Sequence, residues 1–200
     1  MRKKISHGYM VFVMLVLGIS GALDSTAWAN DIGFKAGYQH FEGIKAGIFY
    51  TFDLSDTVAI QPEVYYSQRK YGCGSHSYYH TVGETFYDMV RFIEVPVLLK
   101  YKVKLWGHFK PVFFGGGYAS FRLSRESEMI NAFTFFSRRY AEVEAGFVVG
   151  AGFQYMKAKV GYHFDVRANF GVGPVQKLTY YIFPKENYNR SLSIMVGISF

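Results

Sequence analysis

The chain has 200 residues, 50% of them hydrophobic and 20% aromatic, with 22 basic against 15 acidic residues. This apolar content excludes a disordered chain and is enough for one domain. Cys73 is the single cysteine, which excludes an intramolecular disulfide and with it a disulfide-stapled scaffold.

Met1 to Ala29 reads as a cleaved secretory signal. Arg2, Lys3 and Lys4 form the charged start, Tyr9 to Leu23 the apolar core, and Ala27-Trp28-Ala29 the small-x-small cleavage site. The core falls short of the ~20 apolar residues that span a bilayer as a helix. The mature chain is expected to run from Asn30 to Phe200. It loses three basic residues and Asp24, leaving 19 basic against 14 acidic, a net charge of +5. Such an excess favours anionic surfaces such as lipopolysaccharide headgroups, and export argues against nucleic acid as a partner. Later in the chain the longest uncharged apolar run is Ala145 to Met156, too short for a helical span. The remaining way to cross a membrane is a closed barrel, in which strand pairing satisfies every backbone group.

Gly33 to His40 is a first short strand, and Phe41-Glu42-Gly43 a tight connection. From Ile44 to Leu54, Ile44, Ala46, Ile48, Tyr50 and Phe52 share one face against Lys45, Phe49, Thr51 and Asp53, the period of 2 expected of a strand. A turn at Leu54 to Thr57 leads to Val58 to Lys70, where Val58, Ile60, Pro62, Val64 and Tyr66 oppose Gln61, Glu63, Tyr65, Ser67 and Arg69. Tyr71 to Asp88 reads as a loop. Met89 to Lys102 sets Ile93, Val95, Val97, Leu99 and Tyr101 against Glu94 and Lys100, with Arg91 breaking the pattern.

Phe109 to Leu123 contains Gly115-Gly116-Gly117, which marks a sharp bend or a close strand approach. After a second long loop, Ser124 to Tyr140, the segment Ala141 to Tyr155 sets Val143, Phe147, Val149 and Phe153 against Glu142, Glu144 and Gln154. Lys159 to Phe170 sets Val160, Tyr162, Phe164, Val166 and Phe170 against His163, Asp165, Arg167 and Asn169. A third long loop, Gly171 to Arg190, precedes Ser191 to Phe200, with Leu192, Ile194, Val196, Ile198 and Phe200 on one face.

These segments make eight strands, and the fold class expected is all-β: an eight-stranded antiparallel up-and-down transmembrane β-barrel. Connections near residues 55, 105 and 157 are short, and those near 80, 132 and 181 are long. Short periplasmic turns and long outside loops then place both termini in the periplasm. Only the connection at Phe41 to Gly43 is short for an outside loop. A soluble lipid-binding barrel is the rival, with its apolar face turned inward. Aromatic residues at strand ends and mixed charges on the opposite face favour lipid outside and paired charges in a narrow interior.

The last strand resembles the closing strand of outer-membrane barrels, whose terminal Phe serves as an assembly signal, which implies the barrel assembly machinery as a partner during biogenesis. Four segments are Gly43-Ile44-Lys45-Ala46-Gly47, Ile60-Gln61-Pro62-Glu63-Val64-Tyr65-Tyr66, Ile93-Glu94-Val95-Pro96-Val97-Leu98-Leu99-Lys100-Tyr101 and Gly150-Ala151-Gly152. Together they resemble the PorT-like outer-membrane β-barrel family common in Bacteroidetes-type bacteria. The resemblance implies a bacterial outer-membrane location and allows a part in a protein secretion machine.

The candidate site is an interior polar network of Lys45, Glu63, Glu94, Lys100, Glu142, Glu144, His163, Asp165 and Arg167. His163, Asp165 and the nearby glutamates admit a lipid A-modifying enzyme, but no serine with matching spacing accompanies them, so a structural ion network is expected and no catalytic residue is assigned. Cys73, His76 and His80, with Glu84 and Asp88, have the donor types of a zinc or copper site. One soft sulfur and two imidazoles in one Gly/Ser/Tyr loop without a second cluster leave no metal or other cofactor expected. Phe135, Phe136, Arg138 and Arg139 in the second long loop, and Tyr180 and Tyr181 in the third, suit contact with lipopolysaccharide or a protein partner; packing over the barrel mouth is the alternative. The expected function is structural or interactive, through the outside loops, with a small conducting pore as a further possibility.

Overall fold

The computed structural model describes residues 30–40, 43–73, 86–103, 108–127, 137–179 and 184–200. Its strands are β1 (Asn30–Gln39), β2 (Gly43–Asp53), β3 (Val58–Cys73), β4 (Phe86–Lys102), β5 (Phe109–Ser127), β6 (Ser137–Tyr140), β7 (Val143–Lys157), β8 (Val160–Thr179) and β9 (Pro184–Ser199). Neighbours in sequence pair antiparallel from β1 to β5. β5 then pairs with β7, β7 with β8, β8 with β9, and β9 returns to β1. The sheet is therefore closed. Four-residue β6 pairs with Gln176–Thr179 of β8, above the Val160–Gly171 stretch that pairs with β7, so β6 and β7 occupy one wall position and the barrel has eight.

Closure gives β1 to β5 and β7 to β9 a paired neighbour on both sides, and the alternation then sorts the side chains. Lys45, Phe49 and Thr51 of β2 are buried, while Ile44 and Ile48 point out at 60% and 47% exposure. On β7, Val143, Phe147, Val149 and Phe153 face outward and Glu144, Val148 and Gln154 inward. The apolar face is the outer one throughout. In water such a surface would far exceed the few hundred Å² of contiguous apolar patch that a soluble monomer exposes, so the soluble lipid-binding barrel is excluded.

The upper ends of the strands run further than the alternation predicts. Residues 71–73, 86–88, 124–127, 171–179 and 184–190 all continue as strand, paired except at breaks of register between 170 and 176, although they read as loop in the sequence. Above the apolar band neither face is selected by lipid, so backbone pairing persists without an apolar pattern. Pro174 lies within β8 at a shift of register against β9. Pro62 and Pro96 interrupt the ladders differently. Paired positions are missing between β2 and β3 beside Pro62, and between β3 and β4 beside Pro96, while each proline stays in register with the strand on its other side.

Within Gly115-Gly116-Gly117 it is Gly116 that marks a close approach. A Cβ there would lie 1.9 Å from the Val97 carbonyl oxygen, whereas Cβ atoms at Gly115 and Gly117 would meet nothing nearer than 3.7 Å. At the short-turn end, Ser55 Oγ accepts the backbone N–H groups of Thr57 (3.3 Å) and Val58 (3.0 Å), which fixes the β2–β3 turn.

Candidate functional site

The interior is occupied by two ion clusters and an apolar wall. Nearer the short turns, Glu63 receives both arms of the Arg167 guanidinium, with Nη2 2.9 Å from Oε1 and Nη1 on Oε2. Lys35 Nζ donates to Asp165 Oδ2 at 2.7 Å and to Glu63 Oε1 at 3.3 Å, and Arg167 Nη2 also reaches Asp165 at 2.7 Å. Gln61 joins the cluster by donating to Glu63 Oε1 while its own carbonyl accepts Lys100 Nζ at 2.8 Å and Thr51 Oγ1 at 3.0 Å. Lys35, Lys100 and Arg167 stand against Glu63 and Asp165, a net charge of +1.

Nearer the long connections, Lys45 pairs with Glu94 Oε2, and Arg69 bridges Glu94 (2.5 Å) and Glu144 (2.9 Å). Ser67 Oγ donates to Glu94 at 2.6 Å; the Tyr118 hydroxyl and Asn189 amide donate to Glu144 Oε1 at 2.5 and 2.6 Å. Two cations and two carboxylates make this cluster neutral. A separate pair, Lys102 with Asp53, closes the short-turn rim. β1 to β5 and β7 to β9 each supply a side chain to these contacts.

Aromatic rings fill the remaining space. The Tyr65 ring takes Lys45 Nζ at 4.8 Å and Arg167 Cζ at 5.6 Å, Phe114 takes Arg167 at 5.2 Å, and Phe92 takes Arg69 at 4.5 Å. Leu98, Val112, Phe114 and Val148 form an apolar wall on β4, β5 and β7. Glycines on the inner face make room for these rings: a Cβ at Gly150 would stand 2.5 Å from the Phe114 ring and 2.4 Å from the Val166 carbonyl oxygen. Charges this deeply buried are tolerated when paired and hydrogen-bonded, as Lys35, Lys45, Glu63, Arg69, Glu94, Glu144, Asp165 and Arg167 are, while Lys100 rests on the Gln61 carbonyl.

The structure brings Lys45, Glu63, Glu94, Lys100, Glu144, His163, Asp165 and Arg167 to the interior. Glu142 corrects the expectation. It stands in the bend before β7, its side chain 88% exposed, with a long 3.9 Å contact to Arg122, because the period-2 pattern does not extend across the break between β6 and β7. Lys35 and Arg69 are central to the clusters and lie outside the expected site. Lys35 sits between the outward Phe34 and Ala36, the same alternation that places Lys45.

His163 Nε2 lies 2.9 Å from Ser199 Oγ, and its ring packs edge-on to Phe49 at 5.1 Å. No carboxylate orients the imidazole among the described residues. Asp165 is committed to Lys35 and Arg167, and Ser199 is 1% exposed, so the pair has the contacts of a packed interior rather than of a nucleophile open to substrate.

Cys73 ends β3, while His76, His80 and Glu84 lie outside the described residues, as do Phe135, Phe136, Tyr180 and Tyr181. Arg138 and Arg139 lie on β6 and Asp88 on β4, placed by their backbone alone.

A closed eight-position barrel with an apolar exterior and a charged, filled interior is the architecture of an outer-membrane protein. The family model described as outer membrane protein beta-barrel domain matches residues 14–177. The chain belongs to this family. As an outer membrane protein beta-barrel domain it resides in the bacterial outer membrane. Solved structures of similar fold include a major outer membrane protein from Thermus thermophilus, at 10% identity and a TM-score of 0.60 over 86% of this chain and 99% of that one. The outer membrane protein OprG from Pseudomonas aeruginosa aligns at 11% identity and a TM-score of 0.59, over 85% and 94%. Neisserial surface protein A aligns at 14% and 0.53, over 85% and 95%. At these identities the likeness is one of fold. No curated protein matches the sequence.

Proposed function

We propose that the protein is a non-catalytic structural and interaction barrel whose body transports nothing and whose contacts are made at its long-connection end. The observation that carries this reading is the filled lumen: Glu63, Asp165, Arg167, Lys35, Glu94 and Arg69 interlock across the barrel, with Tyr65, Phe92 and Phe114 between them. A passage would require buried ion pairs to separate, and breaking one such pair costs ~3–5 kcal/mol. On this reading Met1 to Ala29 is removed on export, both termini face the periplasm, and the long connections face outward, where lipopolysaccharide or a protein partner meets them. Insertion would go through the barrel assembly machinery. Planar-bilayer recordings of the purified protein test the closed body. No unitary steps are expected, and reproducible discrete conductance would overturn it.

A second reading, a PorT-like component of protein secretion, is supported by the place of the resembling segments. Glu63 and Glu94, each next to or near a ladder-breaking proline, anchor the two clusters. Secretion of exported proteins in a deletion strain decides it: loss supports the role, and wild-type levels remove it.

A further inference from the structure

A polar and an apolar feature adjoin on the outer face of β1 to β5, and neither belongs to the interior network. Outward positions on β3 run from Val58 to Tyr66. At ~3.4 Å per residue and a tilt of ~40° these eight steps rise about 21 Å, close to the ~25 Å apolar band of such barrels. The next outward positions are Gln68 and Lys70, about 5 and 10 Å beyond Tyr66 by the same geometry, at and past the edge of the band. This is the depth of lipid headgroups.

Arg91 of β4 is in register with Gln68, and Lys70 with Met89, so Lys70 and Arg91 are diagonal neighbours, ~7–8 Å apart at their Cα atoms. Long side chains at that spacing converge on one phosphate. Arg91 Nη1 also lies 3.3 Å from Ser124 Oγ on β5, adding a hydroxyl to the patch. On β5, Glu126 is in backbone register with Met89.

Below this patch the wall is indented. Val196, Ala36, Ala46 and Tyr66 form one row in register across β9, β1, β2 and β3. The two alanines lie between bulky neighbours, Phe34 and Ile48 on one side and Tyr38 and Ile44 on the other, and an apolar depression of about 580 Å³ opens over them toward Phe34, Ile48 and Ile198. Tyr66 joins the two features, since Ala46 is its cross-strand partner and Lys70 lies four residues further along the same face of its strand.

We propose that this surface seats one phosphorylated glycolipid of the outer leaflet, of the lipid A class, with a phosphate on Lys70 and Arg91 and an acyl chain over Tyr66 into the depression at Ala36 and Ala46. The charge complementarity selects the phosphate, and the surrounding hydrocarbon supplies the chain. The assignment rests on the reading that the long connections face outward.

The experiment is native mass spectrometry of the purified barrel mixed with bis-phosphorylated lipid A, its dephosphorylated form or phosphatidylglycerol. One bound lipid A per barrel is expected, with the dephosphorylated form retained about tenfold less, the effect of a charge-assisted contact. The double variant K70Q/R91Q removes that preference, and A46F, which fills the exposed depression, lowers retention of both glycolipids. Equal retention of the phosphorylated and dephosphorylated forms by the wild type, or an unchanged preference in K70Q/R91Q, overturns the proposal. So does displacement of lipid A by inorganic phosphate alone, which assigns an anion site and not a lipid seat. Retention by purified protein does not depend on orientation in the cell. Failure of the outward reading is therefore seen separately, as labelling of Cys73 from the periplasmic side only.

Discussion

Replacing Glu63 with glutamine tests whether the interior network holds the barrel together. The substitution keeps the shape of the side chain and removes its charge. In the wild type Glu63 carries two contacts from Arg167 and one from Lys35, and its cluster holds three cations against two carboxylates. E63Q leaves Lys35, Lys100 and Arg167 with Asp165 alone, so the net charge rises from +1 to +2 at a site where Arg167 and Lys35 are 1% and 2% exposed. Breaking a buried pair by removing one partner costs ~3–5 kcal/mol, two to four orders of magnitude in the folding equilibrium. Reversible urea unfolding in lipid vesicles, followed by the gel-mobility difference between folded and unfolded barrel, measures it. The double variant E63Q/R167M removes the stranded cation and is expected to recover most of the loss. If E63Q stays within about 1 kcal/mol of wild type, or the double variant is no more stable than the single one, the ion cluster is not what secures the interior.

Two further outcomes follow from the packing and the membrane band. G150A puts a methyl group 2.5 Å from the Phe114 ring, and overpacking of this kind costs ~1–3 kcal/mol in the same unfolding assay, whereas G117A, with nothing nearer than 3.8 Å, is expected to change stability by less than about 0.5 kcal/mol. V149R places a cation near the middle of the outward apolar face, at a position 49% exposed to what is lipid in the cell, and is expected to cost ~2–4 kcal/mol; an arginine in place of His40 at the rim costs ~0–1.

The walls were legible where one side chain in two meets lipid. In Ile44 to Leu54 and Val143 to Tyr155 the outward residues are apolar almost without exception, and period 2 then names the inward ones. The same rule reaches Lys35 on the short strand β1, but one charge between Phe34 and Ala36 is a faint pattern. It fails at Glu142, where the chain bends out of the wall, and above the band, where β8 continues to Thr179 and β9 begins at Pro184 without any apolar selection. Partner choice in the interior was illegible for another reason. Lys35 and Asp165 are 130 residues apart, and their meeting follows from the closure of β9 on β1, which no local pattern encodes. Asn189 likewise reaches Glu144 from a segment whose composition reads as loop.

Cys73 ends β3 at the long-connection end of the barrel and is the only thiol in the chain, so the protein carries its own reporter of how it sits in the membrane. Intact cells treated with a membrane-impermeant maleimide, followed by recovery of the barrel from the outer membrane, measure the exposure of that end directly. Labelling of Cys73 without permeabilisation is expected. Protection in intact cells, with labelling once the periplasm is opened, would contradict it.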